Sequence, residues 1–371
     1  MKAKYLLLSV TALLGYPVKA QVVNTATADT SSGEHIGKLT ISGYLDTYYG
    51  NTLNSSDQKT VPPFVSSARN NEFSVNLAFI DLRYQDKNFR ARIMPGFGSY
   101  MNANYAAEPT GLNNFVEAHA GFKIFSKKNI WLDAGVLGSP YTNESAVSKD
   151  HLMYTRSMAP EYVPYYLCGA KLTVPLSKKI NFYLYALNGW QQIADINDQK
   201  SIGTQLEIAI NDKNLVNWNT YYGNERGANT PQFRNRYFSD IYWIYNSGKK
   251  ISFTSCVYFG LQEVENSGSY SMQSWWQANF IMKYQFNDLF SLSGRIEYFC
   301  DPDNTMIAVQ NGRDGFVCAS SGLCFNYHFS KHGMFRLEGR SFLTEDLNFK
   351  NCDNMNTNYM NWVISNITIW F

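Results

Sequence analysis

The segment LTISGYLD at residues 39–46 alternates apolar and polar side chains with a period of two. Leu39, Ile41 and Leu45 would lie on one face of an extended chain, and the polar residues between them on the other. Because successive side chains of a β-strand point to opposite faces, the pattern predicts a strand with one apolar and one polar face. The segment VISNITIWF at residues 363–371 shows the same alternation at the other end of the chain.

Similar segments recur between these two ends, each with aliphatic or aromatic residues opposite polar or charged ones. They include FRARIMPGF at 89–97, VEAHAGFK at 116–123, QLEIAI at 205–210, LSGRIEY at 292–298 and FRLEGR at 335–340. The segments run for about 10 to 13 residues, whereas an ordinary soluble strand has about five or six. Their length suits a tilted strand that crosses a bilayer, which needs about 9–11 residues.

The connections between the segments alternate between short and long. Short connections are predicted near residues 85–88, 125–129, 176–179, 211–214, 247–250, 287–289 and 330–333, and long ones near 51–71, 101–113, 140–163, 191–200, 225–234, 262–273, 301–314 and 344–358. The sequence therefore predicts an all-β, antiparallel transmembrane barrel of about 16 strands, with short periplasmic turns and long extracellular loops. A soluble sandwich would have shorter strands, and a propeller would repeat a motif about every 40 residues.

Composition agrees with this fold class. The chain has 371 residues, of which 16% are aromatic and only 17% charged. No run of 18 apolar residues occurs, which excludes a helical membrane protein for the mature chain. The aromatic content excludes intrinsic disorder. The formal charge of +2 is too small to indicate a nucleic-acid partner.

The first residues have the features of a secretory signal peptide. Lys2 and Lys4 precede an apolar stretch at residues 5–14, and a small-residue cleavage site ends at Ala20. The chain is then expected to divide into a signal peptide at 1–20, a short periplasmic lead-in at 21–37 and an outer-membrane β-barrel at 38–371. We expect the protein to be exported to the outer membrane of a Gram-negative bacterium. There the strand that ends at Phe371 would contact the barrel assembly machinery.

We find no motif that carries catalysis. The sequence lacks a G-x-S-x-G elbow, an H-E-x-x-H helix, a P-loop and a G-x-G-x-x-G turn. His119 is expected to face the lumen beside Glu117, as a solvated side chain. No catalytic residue, cofactor or metal ligand is predicted, and an enzyme is not expected.

Two features resemble metal or disulfide sites only in part. The run that starts at Asp301 begins like a calcium loop, but Met306 stands where glycine is required. We interpret it as a polar turn, with a weak cation site as the alternative. Cys300 and Cys318 flank one loop and could pair, although their strand phase places them on opposite faces.

The polar face of the strands is the most informative feature for function. An Arg or Lys facing hydrocarbon at mid-depth costs about 2–4 kcal/mol, so charges placed consistently opposite the apolar face indicate a wet or mutually paired interior. The proposed pore-lining residues are Asp46, Arg92, Glu117, Lys123, Lys171, Arg295, Glu297, Arg336, Glu338 and Arg340. The alternative is that these charges pair across strands and only rigidify the wall.

The connection at residues 140–163 is the longest, and it contains the only helix-like stretch, at 143–158. We expect this loop to fold into the lumen and set the constriction, because Leu152 and Met153 would gain little from standing in water. The proposed constriction residues are Glu144, Lys149, Asp150 and Arg156. The alternative is a loop that caps the mouth or contacts a neighbouring subunit.

Several runs of residues resemble a known family. ISGYLDTYYGN (41–51), WLDAGVLGSPYTNESAVSKDHLMYTRS (131–157), YYLCGAKLTV (165–174) and LYALNGWQQI (184–193) are similar to the OmpL-like β-barrel porins of Gram-negative outer membranes. The resemblance implies a barrel in outer-membrane lipid that passes small hydrophilic solutes or ions by passive diffusion. The resemblance does not identify any substrate-binding or ligand-binding residue in this chain. An outer-membrane enzyme, a carrier of hydrophobic solutes and a structural or adhesive barrel stay open as alternatives. A homotrimer is one assembly open to such a barrel.

Overall fold

The structure, a computed structural model, describes residues 37–54, 58–308 and 315–371. Sixteen strands form one closed antiparallel barrel, in which each strand pairs with its neighbours in sequence and the first pairs with the last. The predicted fold class is confirmed. The predicted signal peptide and almost all of the predicted lead-in lie outside the described residues.

The barrel strands have the following bounds: β1 (Lys38–Thr52), β2 (Glu72–Gln85), β3 (Phe89–Phe97), β4 (Phe115–Lys123), β5 (Trp131–Gly138), β6 (Tyr166–Pro175), β7 (Ile180–Leu187), β8 (Ser201–Asn211), β9 (Asn214–Asn224), β10 (Phe233–Asn246), β11 (Ile251–Asn266), β12 (Ser269–Gln285), β13 (Phe290–Asp301), β14 (Phe316–Ser330), β15 (Gly333–Thr344) and β18 (Tyr359–Trp370). A separate small hairpin is formed by β16 (Phe349–Lys350) and β17 (Asn356–Thr357). The helices are α1 (Ser99–Asn104) and α2 (Met158–Glu161), with 3-10 turns at Leu112–Asn114 and Ser148–Asp150. Within the described residues, no helix has the length and apolar character that crossing a bilayer would require.

The period-two pattern places apolar side chains outside and polar side chains inside. On β15, Leu337 and Leu343 are exposed on the outer surface, whereas Arg336, Glu338 and Arg340 are buried inside. An outward band of this kind can face lipid only if the backbone is fully paired, and a closed barrel meets that condition because it has no free edge.

The barrel closes where the two ends of the described chain meet. Strand β1 pairs with β18 in a register that places Thr47 opposite Ile367. The amide of Gly43 donates to the carbonyl of Phe371 at 3.0 Å, and the amide of Phe371 donates back at 3.1 Å. Closure thus depends on backbone pairing between residues that are more than 300 positions apart in sequence.

Seven of the eight predicted long connections are found at one end of the barrel, and the short turns at the other. The prediction of a long connection at residues 262–273 is wrong, because β11 continues to Asn266 and β12 begins at Ser269. Ser267 and Gly268 form the turn, with φ angles of 50° and 85°. Such angles suit a two-residue hairpin. The residues here resembled a loop because polar side chains occur on both faces, with Glu263 and Glu265 outside and Gln262 and Gln273 inside.

The local structure around Cys300 and Asp301 answers whether a disulfide or a calcium loop forms there. Cys168, Cys256, Cys300, Cys318 and Cys324 lie in the described part of the chain and are free thiols. In the strand register, Cys300 lies opposite Val317 rather than opposite Cys318, and the Cys318 side chain faces the interior of the barrel.

The Asp301 carboxylate accepts backbone N–H groups at 2.8–2.9 Å from residues 305–307, which closes this polar turn. Among the described residues, no cluster of three or more potential metal ligands occurs.

Candidate functional site in the barrel lumen

The connection between β5 and β6, residues 139–165, packs inside the barrel and is termed the lumenal loop. Its side chains Tyr141, Met153, Tyr154 and Met158 are almost completely buried. Burial of such apolar side chains stabilises the packed loop by about 1.5–3 kcal/mol each. The loop therefore occupies part of the space that the barrel encloses.

Carboxylates on the barrel wall bind backbone amides of the loop. Glu338 Oε2 accepts the amides of Tyr154 and Thr155 at 2.9 Å each. Glu297 Oε2 accepts the amide of Met158 at 2.6 Å. The helix predicted over 143–158 is wrong, because these amides donate to side chains of the wall rather than to carbonyls four residues earlier. Only short helical turns form instead, at 148–150 and 158–161.

Arginines of the wall donate to backbone carbonyls of the same loop. Arg336 Nη1 donates to the carbonyls of Ser148 at 2.8 Å and Met153 at 3.1 Å. Arg295 Nη1 donates to the carbonyl of Thr155 at 2.7 Å. Arg340 Nη1 likewise donates to the carbonyl of Arg156, at 2.9 Å. Since carbonyls and guanidinium groups form strong charge-assisted hydrogen bonds, this wall holds the loop firmly.

The loop is also bound on other sides of the lumen. Asp46 on β1 accepts a hydrogen bond from the Ser148 hydroxyl at 3.2 Å. Asp240 on β10 accepts the amide of Thr142 at 2.6 Å. Asn143 donates to Asn279 on β12 at 3.0 Å. The loop is therefore attached to strands on several sides of the barrel.

Six of the proposed pore-lining residues point into the lumen but lie beneath the lumenal loop, and these are termed the anchor residues. They are Asp46, Arg295, Glu297, Arg336, Glu338 and Arg340. Their side chains are almost entirely shielded from solvent, and their polar atoms are used in the bonds to the loop and in ion pairs with one another. Arg295 pairs with Glu338 at 3.0 Å, and Arg340 pairs with Glu297. In this structure they hold the loop rather than face an open passage.

A second set of inward-facing charges lies on β2 to β6 and is termed the charged wall. It consists of Asp81, Arg83, Arg90, Arg92, Glu117, His119, Lys123, Asp133 and Lys171. Arg92 binds Asp81 at 2.8 Å and Glu117 at 2.5 Å. Its side chain keeps 19% of its surface exposed, whereas Arg295 keeps none. Arg92 and Arg83 of the charged wall therefore retain contact with solvent that the anchor residues have lost, whereas Asp81 and Asp133 of the same wall are buried.

Strand register explains one of the close contacts in the charged wall. Arg90, Gly121 and Asp133 lie side by side on β3, β4 and β5. A Cβ atom at Gly121 would lie 2.2 Å from Oδ1 of Asp133. Because Gly121 has no side chain, Arg90 reaches across it and binds Asp133 at 2.6 Å.

Asp81 is a site residue that sequence reasoning missed. It accepts hydrogen bonds from both Arg92 and Arg83. It has the same strand phase as Arg83 two residues later, and that spacing was the signal available in the sequence. His119 lies 3.4 Å from Glu117 and faces the lumen with it.

The proposed constriction residues differ in exposure. Lys149 and Asp150 form a pair at 2.6 Å and keep about a third of their side-chain surface exposed. Arg156 is buried against Glu161 at 3.3 Å, with its guanidinium 4.0 Å from the Tyr165 ring centroid. Glu144 is buried, and burial raises the pKa of its carboxyl group. Lys149 and Asp150 therefore carry the water-facing charge of the four.

Comparisons with known proteins place this lumen in a structural class. No curated protein matches the chain in sequence. The outer-membrane channel DcaP of Acinetobacter baumannii has a TM-score of 0.63 at 8% identity, covering 90% of this chain and 97% of DcaP. An anion-selective porin from Comamonas acidovorans has a TM-score of 0.59 at 7% identity, covering 91% of this chain and 100% of that porin. OmpT of Vibrio cholerae has a TM-score of 0.56 at 12% identity, covering 90% of this chain and 98% of OmpT. At identities of 7–12%, these similarities show that the folds are alike.

The family is identified by sequence. The family model described as "Putative beta-barrel porin-2, OmpL-like" matches residues 38–369, which is nearly the whole chain. The match spans every strand of the barrel. The chain belongs to this family and is an outer-membrane porin, a barrel for passive diffusion.

Proposed function

We propose that small hydrophilic solutes or ions diffuse past the charged wall on β2 to β6, and that the lumenal loop sets the constriction. The observation that carries this proposal is the difference in exposure between the two sets of lumenal charges. Arg92 and Glu117 keep 19% and 14% of their side-chain surface exposed, while Arg295 and Glu338 keep none. The pore-lining role therefore falls to Arg92, Glu117 and Lys123 of the proposed set, whereas Lys171 is buried.

The two sides of the passage differ in charge. The charged wall carries five basic and three acidic side chains, with His119 counted as neutral. The loop and its anchor residues carry four guanidinium groups and five buried carboxylates. A polar solute between them experiences a transverse field, which orients its dipole and filters by charge. Lys149 and Asp150 would contribute on the loop side at the narrowest part.

The competing functions predict different lumens and different measurements. A carrier of hydrophobic solutes requires an apolar passage, whereas the charged wall places Arg92, Glu117 and Lys123 in the lumen, and aromatic side chains such as Tyr185 and Trp275 are buried elsewhere in the barrel. An enzyme or a purely structural barrel would not conduct ions. We propose that the protein has no catalytic role.

Single-channel recording of the purified protein in planar bilayers tests the proposal. We expect discrete conductance steps in potassium chloride. Heat-modifiable gel mobility provides the control for folding. A well-folded protein without conductance would contradict the diffusion function and would favour the enzymatic or structural alternatives.

Export and assembly form a further part of the proposal. Residues 1–20 would be cleaved as a signal peptide, and the strand that ends at Phe371 would contact the barrel assembly machinery. A homotrimer is the proposed assembly, since one solved structure of OmpT from Vibrio cholerae is described as a trimer form, with a TM-score of 0.53. N-terminal sequencing of the mature protein and native mass in mild detergent test the two statements separately.

A further inference from the structure

The short periplasmic turns of the barrel carry an excess of positive charge. Six of the seven turns contain one or two lysines, and these are termed the turn lysines. They are Lys87, Lys127, Lys128, Lys178, Lys179, Lys213, Lys249, Lys250 and Lys331. The same seven turns contain three acidic residues, Asp86, Asp212 and Asp288. This end of the barrel therefore presents a ring of positive charge.

The opposite end of the barrel has the opposite balance of charge. With the lumenal loop left aside, the described residues of the long loops include five basic and eight acidic side chains. Charge that served only to keep the protein soluble would be expected at both ends. The concentration of lysine at one end therefore points to an anionic partner on the periplasmic side.

The turn lysines keep their positive charge available. All nine are exposed. Within the described residues, the lysines that form salt bridges are Lys149 and Lys200, and neither is a turn lysine. Lys179 Nζ donates to the backbone carbonyl of Ile210 at 2.9 Å, so it lies against the neighbouring hairpin without losing its charge to a carboxylate. The ring can therefore attract anions from outside the described chain.

The turn lysines border the apolar outer band of the barrel. Phe125 and Leu176, which are 53% and 60% exposed, lie two residues before Lys127 and Lys178. The other four turns that carry lysine have an exposed apolar side chain within three residues as well, and these side chains are Phe89, Ile210, Ile251 and Phe329. A lysine stem can lie along such apolar surface while its ammonium group stays in a polar layer. Lys128 Nζ, for example, lies 5.9 Å from the centroid of the Phe125 ring.

We infer that the turn lysines bind the phosphate groups of anionic phospholipids in the periplasmic leaflet of the outer membrane. Lysines that directly follow a membrane-spanning segment are attracted to anionic headgroups, and each ammonium group has three N–H donors for phosphate oxygens. Neighbouring periplasmic turns are two strands apart, or about 10 Å across the sheet, so their lysines can contact the same lipid or adjacent ones. Lipid is favoured over an anionic solute because these lysines lie beside the lipid-facing band. The inference does not depend on which solutes pass through the lumen.

Electron paramagnetic resonance of spin-labelled lipids tests the inference on the purified protein in phosphatidylcholine vesicles. The measurement compares the association of spin-labelled phosphatidylglycerol with that of spin-labelled phosphatidylcholine. We expect phosphatidylglycerol to be preferred by about twofold or more, averaged over both leaflets. Raising the salt concentration from about 0.01 M to about 1 M should reduce this preference, because the Debye length falls from about 30 Å to about 3 Å.

A fourfold variant removes the lysines of two neighbouring turns. Its substitutions are Lys127→Gln, Lys128→Gln, Lys178→Gln and Lys179→Gln, and it should lower the preference for phosphatidylglycerol toward one. The matched control removes four positive charges from the opposite end of the barrel and should keep the wild-type preference. The control substitutions are Lys59→Gln, Lys200→Gln, Arg226→Gln and Lys350→Gln. Heat-modifiable gel mobility shows whether each variant is folded.

Equal association of the two lipids with the wild type would overturn the inference, and so would a preference that salt does not reduce. These two results need no variant, so the test stays decisive if the fourfold variant does not fold. An equal loss of preference in the fourfold variant and its control would place the lipid contact elsewhere. A changed reversal potential in the fourfold variant with an unchanged lipid preference would assign the turn lysines to anionic solutes entering the lumen instead.

Discussion

Arg295 Nη2 lies 3.0 Å from Glu338 Oε1, and both side chains are completely shielded from solvent by the lumenal loop. The pair joins β13 to β15 and at the same time binds the loop, since Glu338 accepts two loop amides and Arg295 donates to a loop carbonyl. The two residues therefore couple the position of the loop to the barrel wall.

The first prediction concerns this pair. Glu338→Ala removes the acceptor of the Tyr154 and Thr155 amides and leaves Arg295 with a buried charge that Glu297 only partly neutralises. Breaking a buried ion pair costs about 3–5 kcal/mol, so the loop should detach before the barrel unfolds. We expect a larger single-channel conductance and faster proteolysis within residues 139–165. Conductance like that of the wild type would show that the loop does not depend on Glu338.

The second prediction concerns the constriction. Deleting Glu144–Ser157 should raise conductance markedly while heat-modifiable gel mobility stays normal, because β5 and β6 pair with each other directly and do not need the loop for their register. Planar bilayer recording and gel mobility measure the two outcomes. Unchanged conductance in the deletion would place the constriction elsewhere in the barrel.

The third prediction separates the charged wall from the anchor residues. Arg92→Ala should shift ion selectivity toward cations, because Arg92 keeps contact with solvent and Asp81 and Glu117 would lose a basic partner. Arg295→Ala should chiefly increase conductance by loosening the loop. Reversal potentials in a salt gradient measure selectivity. A larger selectivity shift in Arg295→Ala than in Arg92→Ala would place the passage on the opposite side of the lumen.

The alternation of apolar and polar residues in the sequence was sufficient to predict the barrel. The alternation in FRLEGR at 335–340 places Leu337 outside and Arg336 and Glu338 inside, as the structure has them. It succeeded because lipid and lumen differ so strongly in polarity that each side chain has one acceptable direction. The alternation failed as a guide at residues 262–273, where polar side chains are interspersed on both faces of the hairpin, with Glu263 and Glu265 beside Met272 and Tyr270 outside.

The sequence by itself determined the strand number, the closed antiparallel topology and most of the charges that point inward, although Asp81 was missed. Only the tertiary structure decided which of those charges face the passage. Arg92 and Arg295 have the same strand phase and the same chemistry, yet Arg92 stays partly exposed and Arg295 is covered. The difference arises from the lumenal loop, whose backbone binds Arg295 and Glu297 on β13 and Arg336, Glu338 and Arg340 on β15. Strand phase is a local property of neighbouring residues, whereas that choice of wall depends on hydrogen bonds between residues about 140 to 188 positions apart.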